Sequence, residues 1–102
     1  MVRPRKCRRI SNEPEITYFK PAGVRLIELK ELEISIDELE ALKLVDYSSI
    51  EQTNASKKMD ISQPTLSRLL LSARKKIAQA LTEGYAIKIN GGNYYIKKNK
   101  KR

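Results

Sequence analysis

The chain has 102 residues, 40% of them hydrophobic, with one cysteine and no histidine. That length suits one small domain with a modest core, while the cysteine and histidine counts exclude a disulfide framework and leave too few soft ligands for a four-ligand zinc site. No apolar run of about 18 residues occurs and the first residues are charged, so neither a membrane span nor a secretory leader is expected, and the reading is a cytoplasmic protein.

The net charge of +9 is unevenly placed. Arg3, Arg5, Lys6, Arg8 and Arg9 crowd the start, and Lys97, Lys98, Lys100, Lys101 and Arg102 crowd the end. Residues 10–96 hold 11 basic and 12 acidic side chains, close to balance. Residues 1–9 therefore read as a flexible basic arm, 10–96 as the domain, and 97–102 as a basic tail. Such arms suit nucleic-acid phosphates, and they equally suit a plain solvated tail.

In chain order, Glu15 to Phe19 can form a short strand, and Lys20 to Gly23 (KPAG) a turn. Arg25 to Glu31 reads as one or two helical turns. Leu32, Ile34 and Ile36 alternate with polar residues, which also permits an extended stretch. A first clear helix opens at Ser35, with Ser35 and Glu38 at capping-box spacing. Ile36, Leu39, Leu42 and Val45 recur at helical spacing, widened by Ala41 and Leu44. Its carboxylates Asp37, Glu38 and Glu40 read as structural, two of them in the first turn, where the helix dipole favours them.

A second helix is predicted over Gln52 to Met59, with Ile50, Ala55 and Met59 inward. After the break Asp60-Ile61-Ser62, Ser62 is a good N-cap and Pro64 fits the first turn of a third helix. That helix runs to about Glu83, with Gly84 as its C-terminal cap. Leu66, Leu69, Leu70, Ala73, Ile77, Ala80 and Leu81 form one apolar stripe. Leu71 falls near the polar side without obvious burial. Gly91-Gly92 suits a two-residue hairpin turn within residues 85–97, pairing Ile89 with Tyr94 and Ile87 with Ile96. Lys88, Tyr95 and Lys97 then share the outer face, which reads as a plain solvated hairpin face before it reads as a smaller candidate site for a nucleic-acid strand.

The two helices and their break, about residues 50–83, have the spacing of a helix-turn-helix, whose second helix normally enters the DNA major groove. Gln63, Thr65, Ser67 and Arg68 then occupy the base-reading region. Arg68 can grip guanine O6 and N7, and Gln63 can pair with adenine N6 and N7. Lys57, Lys58, Ser72, Arg74, Lys75 and Lys76 join the arm residues as phosphate contacts, which fix position but not sequence. The bland reading is a three-helix domain with a solvated polar face. Cys7 lies in a basic stretch that can lower a thiol pKa, though a lone thiol is more often incidental. With no histidine and no Gly-rich phosphate loop, no active site assembles, so an enzyme is not expected, nor a cofactor or metal.

The runs VRPRKCRRI, YFKPAG, SIDELEALKLVD and INGGNYY, with the two-helix segment between the last two, resemble a family of small uncharacterised prokaryotic (UPF) proteins predicted to bind DNA. The two-helix segment is similar to region four of bacterial sigma factors, which reads promoter DNA. Relatives typically have glycine at the position of Asp60, and Ser-Arg-Pro-Thr where this chain has Ser62-Gln63-Pro64-Thr65. Some carry an added domain resembling iron–molybdenum cofactor-binding proteins, absent from this sequence.

The fold expected is a mainly α helix-turn-helix domain of three to four helices with a small terminal β-hairpin or sheet. The function expected is binding of double-stranded DNA as a transcriptional regulator, with a homodimer open. An RNA- or ribosome-associated basic protein, or a protein-interaction domain contacting RNA polymerase, is the alternative.

Overall fold

The computed structural model describes residues 8–92 and 94–96. The roles expected of Arg3, Arg5, Lys6, Cys7 and residues 97–102 lie outside them.

Helices form where local signals demand them. Ser35 accepts the Glu38 N–H, and Glu38 accepts the Ser35 N–H, closing the capping box of α1 (Ile36–Ala41). The helix then widens into a π-helical stretch, Leu42–Tyr47, in which Ser48 N–H reaches the Lys43 carbonyl at 2.8 Å. Next come α2 (Gln52–Met59) and α3 (Gln63–Glu83). Ser62 caps α3, and Gly84 ends it in the left-handed region at φ 74°, which a residue without Cβ adopts freely. Leu26–Glu28 forms one 3-10 turn within the predicted Arg25–Glu31 helical stretch.

The helices pack around Ala41, Leu44, Ala55, Met59, Leu66 and Leu70, with Leu42, Val45, Ile50, Ile61 and Leu69 at the margin. Most of the predicted α3 stripe is thus inward. Leu81 is not: it is 77% exposed. Leu71 is exposed as well, as its place on the polar side implies.

The strands are β1 (Arg8–Ile10), β2 (Tyr18–Phe19), β3 (Glu31–Ile34), β4 (Ala86–Ile89) and β5 (Tyr94–Ile96). The expected hairpin does not form. Instead β4 is the centre of a three-stranded sheet, antiparallel to β2 and parallel to β3. With both edges of β4 taken, β5 has no place beside it. It pairs in parallel with β1, Arg8 opposite Tyr94 and Arg9 opposite Tyr95. The two glycines serve a crossing rather than a turn: the Gly91 carbonyl accepts the Ile36 N–H at 2.9 Å, over the start of α1. Two further expectations change with this. Arg8 and Arg9 belong to a strand, not to an arm, and Lys88 and Tyr95 fall in different sheets, so their shared outer face does not exist.

Candidate nucleic-acid interface

The segment from α2 to α3 is built on a tight reversal. Asp60 ends α2 at φ 61° and ψ 44°, the left-handed region, with its N–H on the Lys57 carbonyl at 3.1 Å. Ile61 N–H returns to the Ser56 carbonyl at 3.0 Å. Ser62 then accepts the Thr65 N–H at 3.3 Å and starts α3. Aspartate tolerates this backbone better than most side chains.

The first turns of the two helices touch through polar groups. Gln63 Nε2 donates to Thr53 Oγ1 at 2.9 Å, and both side chains are exposed. Thr53 is not among the residues expected at the site; its signal in the sequence is an exposed polar residue in the first turn of the helix that precedes the break. Of the predicted base readers, Arg68 and Gln63 are exposed, while Thr65 and Ser67 are half-buried. The Thr65 hydroxyl also takes a 2.9 Å bond from Ser62, which ties it to the cap. Arg68 and Gln63 are therefore the exposed members of the set, with Gln63 bonded to Thr53.

The predicted phosphate contacts divide. Lys57, Lys58 and Lys75 are exposed. Arg74 is exposed but holds Asp46 through Nε at 3.0 Å and Nη2 at 2.7 Å. That pairing pushes the Asp46 carboxyl below, and the Arg74 guanidinium above, their ordinary values. Ser72 is a correction: it turns inward and donates to Glu38 Oε2 at 2.5 Å. Lys76 reaches the same carboxylate at 3.0 Å. Arg8 is also turned in, 3.7 Å from Asp37. Arg9 donates through Nε to the Lys58 carbonyl at 3.1 Å.

Asp37, Glu38 and Glu40 are all buried, which the first-turn place of Asp37 and Glu38 does not announce. Burial pushes the Glu38 carboxyl up, but Ser72, the Ser35 N–H and Lys76 together outweigh it and hold the group below its ordinary value. Glu40 accepts the Ser11 N–H at 3.2 Å and hydroxyl at 2.7 Å. These carboxylates join α1 to α3 and to the residues after β1. No cluster of three or more metal-ligating side chains occurs among the described residues, and none of their helices is long and apolar enough to cross a membrane.

A family model described as "Protein of unknown function DUF134" matches residues 1–97. A UPF0251 protein of Desulforudis audaxviator is 49% identical over 94 residues, covering 92% of this chain and 61% of that protein. The chain thus spans about three fifths of that relative's length. A UPF0251 protein of Dehalococcoides mccartyi is 51% identical over 96 residues, covering 94% and 82%. A UPF0251 protein of a Thermoanaerobacter strain is 43% identical over 102 residues, covering 100% and 90%. No solved structure matches the chain.

Proposed function

The chain belongs to the DUF134 family, and from that premise we propose that it binds duplex DNA through a helix-turn-helix formed by α2 and α3, and so regulates transcription. The observation that carries this reading is the polar join of the two helix starts: Gln63 bonded to Thr53, with Arg68 exposed nearby on α3. A reading helix needs long donors near its start, facing away from the core. Leu66, Leu70 and Ala73 face the core, so Arg68, two positions past Leu66, faces outward. The first two turns of α3 would enter the groove, and the rest of its length, roughly 31 Å in all, would pack the domain.

The experiment has two stages. Fragments bound by the full chain are selected from a genomic DNA library. Wild type and Arg68→Ala are then compared on a selected and a random duplex at one fixed salt. Loss of about 1–3 kcal/mol on the selected duplex alone is expected, the scale of one bidentate base contact. Equal loss on both would make Arg68 a phosphate contact. No loss on either would remove α3 as the reading helix.

A further inference from the structure

Resting on that DNA-binding reading, we infer that Arg9, Lys57 and Lys58 form a second contact with the nucleic acid, a seat for backbone phosphate that the β1–β5 ribbon holds beside the α2–α3 turn. The sequence places Arg9 in a run of like charges, with no sign of what fixes it. In the folded chain it is fixed twice over. Its strand pairs with β5, and its Nε donates to the Lys58 carbonyl at 3.1 Å. That bond engages one of the five guanidinium N–H groups. It also sets the charge at the C-terminal end of α2, where unpaired carbonyls favour a cation.

Directly opposite Arg9 in the ribbon is Tyr95. Its hydroxyl donates to Asp60 Oδ2 at 3.3 Å. The ribbon is thus pinned to the last turn of α2 and to the reversal that follows it. Lys57 and Lys58 occupy that last turn, both exposed. The half-buried Arg9 is thus held at the end of α2 that carries the exposed Lys57 and Lys58. Between Arg9 and Lys58 lies an open cleft of about 190 Å³, room for a phosphate group. The carboxylate lining it, Glu40, is buried and turned to Ser11. The other nearby acid, Asp60, takes the Tyr95 hydroxyl.

The placement relative to α3 makes duplex backbone the occupant rather than a free anion. Lys57 follows Thr53 by four residues, so the two share one face of α2, and Thr53 bonds the first residue of α3. The basic surface is thus continuous with the end of α3 proposed to read bases. A groove that admits α3 is bordered by phosphates, which is where Lys57, Lys58 and Arg9 would lie. Contacts of this kind position the protein and add affinity without sequence choice.

The test uses the full chain and four variants: Lys57→Gln/Lys58→Gln, Arg9→Gln, Arg9→Lys, and Arg68→Ala as a reference. Affinities for selected and random duplexes are measured over a range of salt. The lysine pair is exposed, so its variant should fold as wild type does, checked by far-ultraviolet dichroism. The expected result is an equal fractional loss on both duplexes, with the salt slope falling by about 0.9 for each charge removed. Arg9→Lys should retain the wild-type slope, which separates charge from a purely structural role. Wild-type slopes in the lysine pair and in Arg9→Gln, alongside lost sequence choice in Arg68→Ala, would overturn the phosphate seat and leave the reading of α3 standing. If wild type binds no duplex, the reading of α3 falls and the seat falls with it. Inorganic phosphate, added at constant ionic strength, should not displace the duplex. Displacement that the lysine variant abolishes would mark a free-anion site and overturn the duplex assignment.

Discussion

Glu38 and Ser72, 34 positions apart, meet at 2.5 Å between the start of α1 and the middle of α3. The Glu38 carboxylate also takes the Ser35 N–H and the Lys76 ammonium, so one buried charge serves a helix cap and a helix–helix join. Its pKa is held below the ordinary carboxylate value of about 4.3. A group depressed in the folded state stabilises it above the unfolded-state pKa, and that contribution fades as pH falls through the folded value. Glu38→Gln should therefore cost about 1–3 kcal/mol at neutral pH. It should also flatten the loss of stability below about pH 4.3. Urea unfolding at a series of pH values checks both; an unchanged acid slope would remove Glu38 as its source.

Gly92 presses against the same helix start. Its φ is 104°, and a Cβ built there would overlap Asp37 Oδ1 and sit 2.9 Å from Ser35 Cβ. Asp37 is buried beside Arg8, so it has little room to yield. Gly92→Ala should lose about 1–3 kcal/mol of stability, from steric overlap and backbone strain together. Gly91, also at positive φ, meets nothing within 4 Å, so Gly91→Ala carries the strain alone and should lose less. Equal losses in thermal melts would show that the approach to Asp37 is not the constraint.

The features legible in the sequence are those decided within four residues. Ser35 with Glu38, Ser62 with Thr65, and Gly84 are local devices: α1 and α3 begin on the serines and α3 ends on Gly84. Partner choice between strands is not local. Gly91-Gly92 permits a hairpin, but β4 spends both edges on β2 and β3, and nothing near residue 91 records that competition. The candidate site divides in the same way. Arg68 is outward because its helical phase says so, whereas Ser72 turns inward to a carboxylate contributed by another helix. The Arg9 anchor is hidden in the sequence for the same reason, since Lys58 lies 49 positions away.

Asp60 holds the left-handed conformation on which the reversal depends. Glycine there would remove the side-chain strain but also the acceptor for the Tyr95 hydroxyl. The two effects oppose each other, so Asp60→Gly should remain within about 1 kcal/mol of wild type. Asp60→Val loses the acceptor and adds a β-branched side chain at positive φ, and should cost about 1–3 kcal/mol. Chemical denaturation of the three proteins gives the order; valine matching glycine would detach the reversal from its backbone geometry.

The terminal basic runs should add affinity without sequence choice. Because Arg8 and Arg9 belong to β1, the truncation that keeps β1 whole removes residues 1–7 and 97–102. Binding to selected and random duplexes should then weaken by a similar factor. The salt slope should drop by about 0.9 for each phosphate that the truncated protein no longer neutralises. A truncated protein with the full-length slope would assign those runs to solubility alone.

Arg74 and Asp46 offer a gain-of-binding test. Arg74 is exposed on α3, six positions beyond Arg68, and is held in a two-pronged bond by Asp46. The pair is nearly half exposed on both sides, at 46% and 42% of each side chain. Exposed pairs of this kind contribute about 0–1 kcal/mol to stability. Asp46→Asn should therefore leave the melt nearly unchanged. Its effect on DNA should be larger in kind, because it removes a negative charge beside a candidate phosphate contact and releases the guanidinium fork. Affinity for both selected and random duplexes should rise, most at low salt, where exposed charges are least screened. Arg74→Ala should lower both affinities, since it removes the cation and leaves the acid. The double variant should fall between the two single ones. Should Asp46→Asn and Arg74→Ala shift affinity in the same direction, the pair acts through the fold of α3 and not through charge at the interface.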